Sequence, residues 1–244
     1  VAGWNNYDKL MPGLAFYSGL LPYNKFEYAL IPMFGIGSKE VVGTGMVGYT
    51  FLPNSEIFQS VHVGISGRRF HYDKVINREL SYNKMAPEIS IDFRKKEMRS
   101  DRNHSFRYRF VFINEERVQT FSTNKGEIKG TTTRINKYWV NDISYIFSNS
   151  RNLNPYGITI NLQQAESFSK ISFTYNHRLT YRGKRGLDMR LFCGSFLFNN
   201  SKSGRFGFGI SGNSDYLYDQ VFWGRSESAG WMSQQLAVND GGFK

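Results

Sequence analysis

The sequence predicts an all-β protein, an antiparallel up-and-down transmembrane β-barrel of which about ten to twelve strands are visible. Three observations predict this class. Apolar and polar residues alternate with a period of two along most of the chain. The alternating segments run about 9 to 14 residues, which suits a tilted strand crossing a bilayer better than a soluble strand of about 5 or 6. Aromatic residues reach 16%, and 24 glycines accompany only 6 prolines, as in many strands joined by tight turns.

The alternation is clearest in six segments, and the first three lie in the N-terminal half of the chain. Residues 57–71 set Ile and Val against Ser, His and Gly, and residues 85–94 set Ile and Phe against Ser, Asp, Glu and Arg. Residues 105–113 place four aromatic side chains opposite Arg107 and Arg109. Charged residues in mid-strand are costly in a packed core but suit a polar lumen, so this pattern favours a barrel over a sandwich.

The other three segments follow in the C-terminal half. Residues 156–163 and 171–179 set Tyr, Ile, Phe and Leu against Gly, Thr, Asn, Gln, Ser and Arg. Residues 206–211 alternate Phe and Ile with Gly and Ser, which predicts one more strand. Turn residues recur between such segments, and we predict turns at residues 37–39, 53–55, 152–155, 182–184 and 200–204. We predict two longer connections at residues 73–84 and 114–137, the second a mobile polar loop.

A single domain, residues 1–244, is predicted, because no linker or change of composition divides the chain. The first residue is Val, so we expect that the chain has been processed or excised. The stretch after Gly224 does not alternate cleanly, and the last residues are loop-like. We therefore expect the domain to be incomplete at both ends and part of a larger barrel.

The net charge is +11 and the sequence pI is about 9.7, but nucleic acid is not the expected partner. The basic residues cluster at the ends of apolar stretches, in residues 68–69, 94–99 and 182–185, and no recognition-helix pattern occurs. At a membrane surface such clusters would meet the phosphates of outer-membrane lipids and lipopolysaccharide. Four aromatic residues are candidates for an interfacial girdle: Trp139, Tyr145, Trp223 and Trp231.

No catalytic, cofactor-binding or metal-binding residue is predicted, so we expect no enzymatic activity from this chain. The four histidines, His62, His71, His104 and His177, are isolated and lack the spacing of a zinc-binding helix. No Gly-x-Ser-x-Gly motif occurs, and the glycines of residues 35–39 fit a hairpin turn better than a phosphate loop. An outer-membrane phospholipase would use a Ser–His pair, but His177 shares its predicted face with Phe173 and Tyr175. The single Cys193 is interpreted as a small apolar residue.

Particular segments resemble one family across nearly the whole chain. They are residues 4–14, 25–28, 32–34, 37–40 with Gly43 and Gly45, 163–165, 224–227, 233–235 and 240–242. In these the chain resembles the C-terminal region of large Bacteroidota proteins whose N-terminal half is an aminopeptidase-N-like (gluzincin) zinc metallopeptidase. The resemblance implies an outer-membrane barrel that tethers a peptidase domain. It implies that the zinc ligands and catalytic Glu lie in that upstream domain, because none maps onto a position here.

Three functions therefore stay open. The first is an outer-membrane anchor, or an anchor that is also a conduit, for a peptidase domain or for other subunits of an outer-membrane complex. The second is a transport or channel barrel with no enzymatic partner, in which Arg107 and Arg109 line the lumen. The third is a soluble β-sandwich or carbohydrate-binding module, for which strands of five to six residues or two buried faces would be expected.

Overall fold

The structure, a computed structural model, describes residues 1–19, 24–75, 78–97, 99–122, 128–182, 185–201, 204–208, 215–219, 222–224 and 235–237. Within these residues the regular structure is β, apart from one 3₁₀ turn, η1 (Gly204–Phe206). No helix in this part of the chain combines the length and apolar character needed to cross a membrane. The strands are β1 (Ala2–Asn5), β2 (Lys9–Pro12), β3 (Phe16–Tyr17), β4 (Phe26–Phe34), β5 (Val41–Phe51), β6 (Phe58–Val75), β7 (Arg78–Phe93), β8 (Arg102–Ser122), β9 (Ile128–Asn149), β10 (Tyr156–Gln164), β11 (Phe168–Thr180), β12 (Gly186–Asn199), β13 (Phe222–Gly224) and β14 (Gln235–Ala237).

Ten of these strands, β3 to β12, form one sheet in which every strand pairs antiparallel with its neighbour in the chain. The predicted all-β, up-and-down class is confirmed, and the ten strands agree with the predicted ten to twelve. Among the described residues the pairing ends at β3 on one side and β12 on the other, so the sheet is not closed. The hairpin of β1 and β2 lies beside it, where Gly13 bridges to Met33 of β4.

The two predicted long connections are wrong. Residues 73–84 belong to the β6–β7 hairpin, whose pairing reaches Val75 and Arg78. Residues 114–137 belong to the β8–β9 hairpin, which stays paired from Arg102 to Ser122, with residues 123–127 outside the described part. The polar composition reflects a hairpin that extends beyond the apolar part of the sheet, where both faces can carry polar side chains.

The strand predicted at residues 206–211 is also wrong where the structure describes it. Phe206 lies in η1, and its ring stacks on Phe168 of β11 at a centroid distance of 4.7 Å. The alternating aromatic residues therefore pack against one face of the sheet instead of forming a further strand. Residues 209–211 lie outside the described residues.

One face of the sheet is apolar across eight of its ten strands. A single row of paired residues crosses eight strands, from β5 to β12, and we call the surface that it belongs to the apolar face. The row consists of Phe51, Val61, Ile91, Phe106, Tyr145, Ile160, Phe173 and Cys193. Many large side chains on this face are solvent-exposed, among them Val63 at 42% and Leu191 at 61%. Strand alternation predicted this face correctly.

The opposite surface is the polar face. Its matching row consists of Gly48, Gly64, Glu88, Arg109, Asp142, Gln163, Lys170 and Phe196. The buried core of the described residues also lies on this side. There Ala86, Val111, Ile113 and Val140 pack with Phe168 and with Tyr216 and Leu217, which follow the sheet in the chain. The molecule therefore buries the middle of its polar face and leaves its apolar face uncovered.

Candidate functional site

The middle of the polar face is covered by the chain that follows β12. We call residues 204–208 and 215–219 the inner segment. Phe206, Tyr216 and Tyr218 of this segment pack against the buried cluster on β7 to β11. Charged and polar contacts with the strands add to this apolar packing. They form two charge clusters, around Glu115 and Asp219, and a third set of contacts at Lys170.

The first cluster surrounds Glu115 on β8, whose side chain is fully buried. Arg205 Nη1 donates to its Oε1 at 2.6 Å, and Arg117 Nε donates to the same atom at 2.5 Å. Asn136 Nδ2 at 3.0 Å and the hydroxyls of Tyr218 at 2.8 Å and Tyr138 at 3.4 Å also donate to Glu115. A buried carboxylate with several strong donors is satisfied in its charge and its lone pairs, so this contact fixes the inner segment in position.

Asp219 is the centre of the second cluster. Its carboxylate accepts hydrogen bonds from Lys84 Nζ and from Arg109 Nη1 and Nη2, the latter two at 3.1 and 2.7 Å. Arg109 also binds Asp142 through Nε at 2.9 Å and Nη2 at 2.6 Å. Two cations and two carboxylates thus balance in a partly buried site, and one of the four, Asp219, comes from the inner segment.

A third set of contacts ties the inner segment to β11. The buried Lys170 ammonium donates to the backbone oxygens of Phe206 and Gly207 at 2.8 and 3.1 Å. It also lies 4.7 Å from the ring centre of Phe208 and 4.8 Å from that of Tyr216. The ammonium is therefore used for docking and is closed off from a ligand in this arrangement.

Arg107 and Arg109, predicted to line a lumen, both lie on the polar face. Arg109 is fully engaged with Asp142 and Asp219. The Nε of Arg107 is buried without a hydrogen-bond partner. Sequence reasoning identified these arginines but missed Glu115, Arg205 and Asp219, because their pairing is not periodic along the chain.

The structure does not bring the four histidines together. His62 contacts Thr50 Oγ1 at 3.0 Å, and His104 contacts the Tyr145 hydroxyl at 2.7 Å. His177 stacks on Tyr175, and its Nδ1 is buried without a hydrogen-bond partner. In the described part of the chain, no group of three His, Cys, Asp or Glu residues is placed to hold a metal ion. Cys193 is exposed on the apolar face.

The fourth histidine, His71, belongs to a buried contact at one rim of the sheet. Its Nδ1 lies 2.6 Å from Oδ1 of Asp8, which is fully buried in the turn between β1 and β2. Ser38 Oγ donates to Oδ1 at 2.6 Å, and Asn5 Nδ2 donates to Oδ2 at 2.7 Å. Burial raises the pKa of Asp8, but the hydrogen bonds from His71, Ser38 and Asn5 outweigh it and lower the pKa to about 2. This contact fastens the N-terminal hairpin to β6.

The predicted girdle residues are placed only in part. Trp139 and Tyr145 both lie on the apolar face, where Trp139 stacks on Phe110 at 5.9 Å and Tyr145 lies near His104. Trp231 lies outside the described residues, and Trp223 is described only in its backbone. Comparison with protein-family models, curated proteins and solved structures gives no match for this chain.

Proposed function

We propose that the chain is an outer-membrane β-barrel domain that anchors a peptidase domain belonging to the same polypeptide. The observation that carries the membrane assignment is the exposed apolar face, lying opposite a polar, ion-paired face. Soluble monomers rarely expose contiguous apolar patches beyond a few hundred Å², because exposing apolar surface to water is unfavourable. Contact with the hydrocarbon of a lipid bilayer would remove this cost of exposure.

Strand length supports the same proposal. The strands of the main sheet from β4 onward have between 9 and 22 residues. A membrane-crossing strand needs about 9 to 11, and a soluble strand is commonly about 5 or 6. A soluble sandwich would also bury its apolar face under a second sheet. The observed burial is on the polar face, which counts against the sandwich and the carbohydrate-binding module.

The inner segment favours an anchor over an open channel. It occupies the polar face of β7 to β11 and uses Lys84, Arg109, Glu115 and Lys170 for its own contacts. These are the cations and acids that an aqueous pore would present to a passing solute. The family resemblance of the sequence supports a peptidase domain in the same polypeptide.

Membrane extraction tests the assignment. We expect the chain to remain in the pellet after washing of bacterial membranes with alkaline carbonate or urea, and to be released by detergent. A known soluble protein of the same preparation serves as the control. Recovery of folded chain in the detergent-free supernatant would refute the membrane proposal. Sequencing of the parent reading frame tests the peptidase half, which requires a zinc-peptidase motif upstream.

Conductance in planar bilayers separates the anchor from the channel. With the inner segment docked, we expect no steady single-channel current from the purified protein. A stable open current at neutral pH would favour the transport barrel instead.

A further inference from the structure

A cleft of about 270 Å³ opens near one rim of the sheet, and four of the polar residues that line it form one paired row over four strands. The row runs Arg69, Asn83, Asn114 and Lys137. Ser81, Glu115, Glu116 and Ile135 complete the lining. The neighbouring row, two residues closer to the middle of the strands, is Gly67, Met85, Phe112 and Trp139 on the apolar face. Two residues of strand span roughly 6.6 Å, so the cleft begins where the apolar surface ends.

The charges in the cleft suit an anion. The Lys137 side chain is exposed, and no ion pair or hydrogen bond engages it in the described part of the chain. Arg69 binds Glu40 through Nη2 at 2.6 Å, with 47% of its side chain exposed. The acids near the cleft already have cationic partners. Glu40 is bound by Arg69, Glu116 by Arg78 at 3.3 Å, and Glu115 by Arg117 and Arg205. A phosphate group is the anion that membranes present at this depth.

Asn114 favours a ligand that also donates a hydrogen bond. Its Oδ1 atom is buried and has no hydrogen-bond donor. A buried acceptor without a partner costs free energy, and a ligand that brings a donor would remove that cost. The favoured ligand therefore carries a phosphate together with hydroxyl or amide donors. At ~30 Å³ per water the cleft equals roughly nine waters, which is room for one phosphorylated sugar unit.

The hairpins identify which leaflet this rim faces. Beyond Phe112 the β8–β9 pairing continues to Ser122 on the side of the cleft. At the other rim the paired strands do not extend in this way: β5 and β7 end at Phe51 and Phe93, at or next to the apolar row, and connections of 5 to 8 residues join the strands there. Outer-membrane barrels carry their long extensions on the extracellular side, where the leaflet is made of lipopolysaccharide.

We propose that the cleft binds the phosphorylated glucosamine headgroup of lipid A, an assignment that rests on the proposed membrane function. Lys137 binds the phosphate, and Asn114 accepts a hydrogen bond from the sugar. The contacts are non-covalent, and the acyl chains lie along the neighbouring apolar face.

Native mass spectrometry of the detergent-solubilised full chain tests this proposal with lipid A as the probe. We expect Lys137→Ala to lower lipid A affinity about five-fold, the effect of one basic residue at headgroup depth. The matched control is Lys25→Ala, an exposed lysine beside the first residue of β4 at the opposite rim and outside the three basic clusters, which should leave affinity unchanged. Lipid A lacking its phosphates should bind the wild-type chain about as weakly as intact lipid A binds Lys137→Ala.

Equal affinities of the Lys137→Ala and Lys25→Ala chains would overturn the proposal. Displacement of lipid A by excess inorganic phosphate would also overturn it, because it would indicate a free-anion site. Preferential binding of phosphatidylethanolamine would overturn it too. Each of these results leaves the chain embedded in detergent and in membranes. These results would therefore refute lipid A binding without refuting the membrane location, which the extraction experiment tests separately.

Discussion

Arg205 and Glu115 lie 90 positions apart in the chain and meet at 2.6 Å on the polar face of the sheet. The carboxylate is fully buried, and the guanidinium is 14% exposed. The guanidinium also lies over the rings of Tyr138 and Tyr218, at 5.8 and 5.7 Å. One ion pair thus joins the inner segment, which follows β12, to β8 in the middle of the sheet. Substitution of either residue therefore tests how the inner segment is held.

Glu115→Gln should lower the free energy of unfolding by about 3 kcal/mol. The amide keeps the volume but removes the buried negative charge that Arg205 and Arg117 bind, and breaking a buried pair costs about 3 to 5 kcal/mol. Urea unfolding in lipid vesicles measures the change. Asp188→Asn is the control, because the Arg178–Asp188 pair is exposed and 3.8 Å long, so its loss should cost under about 1 kcal/mol. Equal losses in the two variants would contradict the buried role of Glu115.

Asp219→Asn should release the inner segment locally while the sheet stays folded. The change removes the counter-charge of Lys84 and Arg109, whose hydrogen bonds to a charged group are each worth about 1.5 to 3 kcal/mol. Hydrogen exchange should therefore become at least about ten-fold faster for residues 215–219 and stay unchanged for β10. Uniform acceleration across the sheet would show instead that Asp219 supports the global fold.

The faces of the long strands could be predicted from the sequence because alternation alone determines them. Phe106 and Tyr108 lie on the apolar face, and Arg107 and Arg109 lie on the polar face, as their spacing predicts. A slip of one residue would exchange all four, so the apolar pattern specifies the register strongly. Cys193, interpreted from its apolar run as a small hydrophobe, lies on the apolar face opposite Phe173.

The polar hairpin extensions and the inner segment could not be predicted in this way. Residues 114–137 lie beyond the apolar rows, where polar side chains suit both faces of a hairpin and the alternation fades. Arg205 and Asp219 find partners 90 and 110 positions away, and pairing over such distances leaves no periodic trace. The alternating aromatics near Phe206 imitate a strand, but their rings fill the buried cluster.

Asp8 should make the N-terminal hairpin acid-sensitive. Its pKa is lowered to about 2, so the carboxylate stabilises the fold above its unfolded pKa of about 4, and that contribution is lost as the pH falls from about 4 to about 2. His71 keeps its proton throughout this range, so Asp8 is the member of the pair that titrates. The loss should be about 2 kcal/mol in urea unfolding. Asp8→Asn should be less stable at neutral pH and lack this acid step; a step that persists in the variant would assign it to another group.

Ile160→Lys distinguishes a lipid-facing surface from a water-facing one by the size of the effect. Ile160 lies in the middle of the apolar row, paired with Tyr145 and Phe173, and is 39% exposed. In a bilayer a lysine there should cost about 2 to 4 kcal/mol of unfolding free energy, because the ammonium must lie in hydrocarbon or distort the membrane. In water the same partly exposed position would tolerate lysine at a smaller cost.

Asn176→Lys, on the polar face of β11 and exposed, is the control and should change stability by less than about 0.5 kcal/mol in vesicles. If urea unfolding in vesicles gives the same small change for both lysines, the apolar face does not contact lipid, because an ammonium placed in hydrocarbon would have lowered the stability far more.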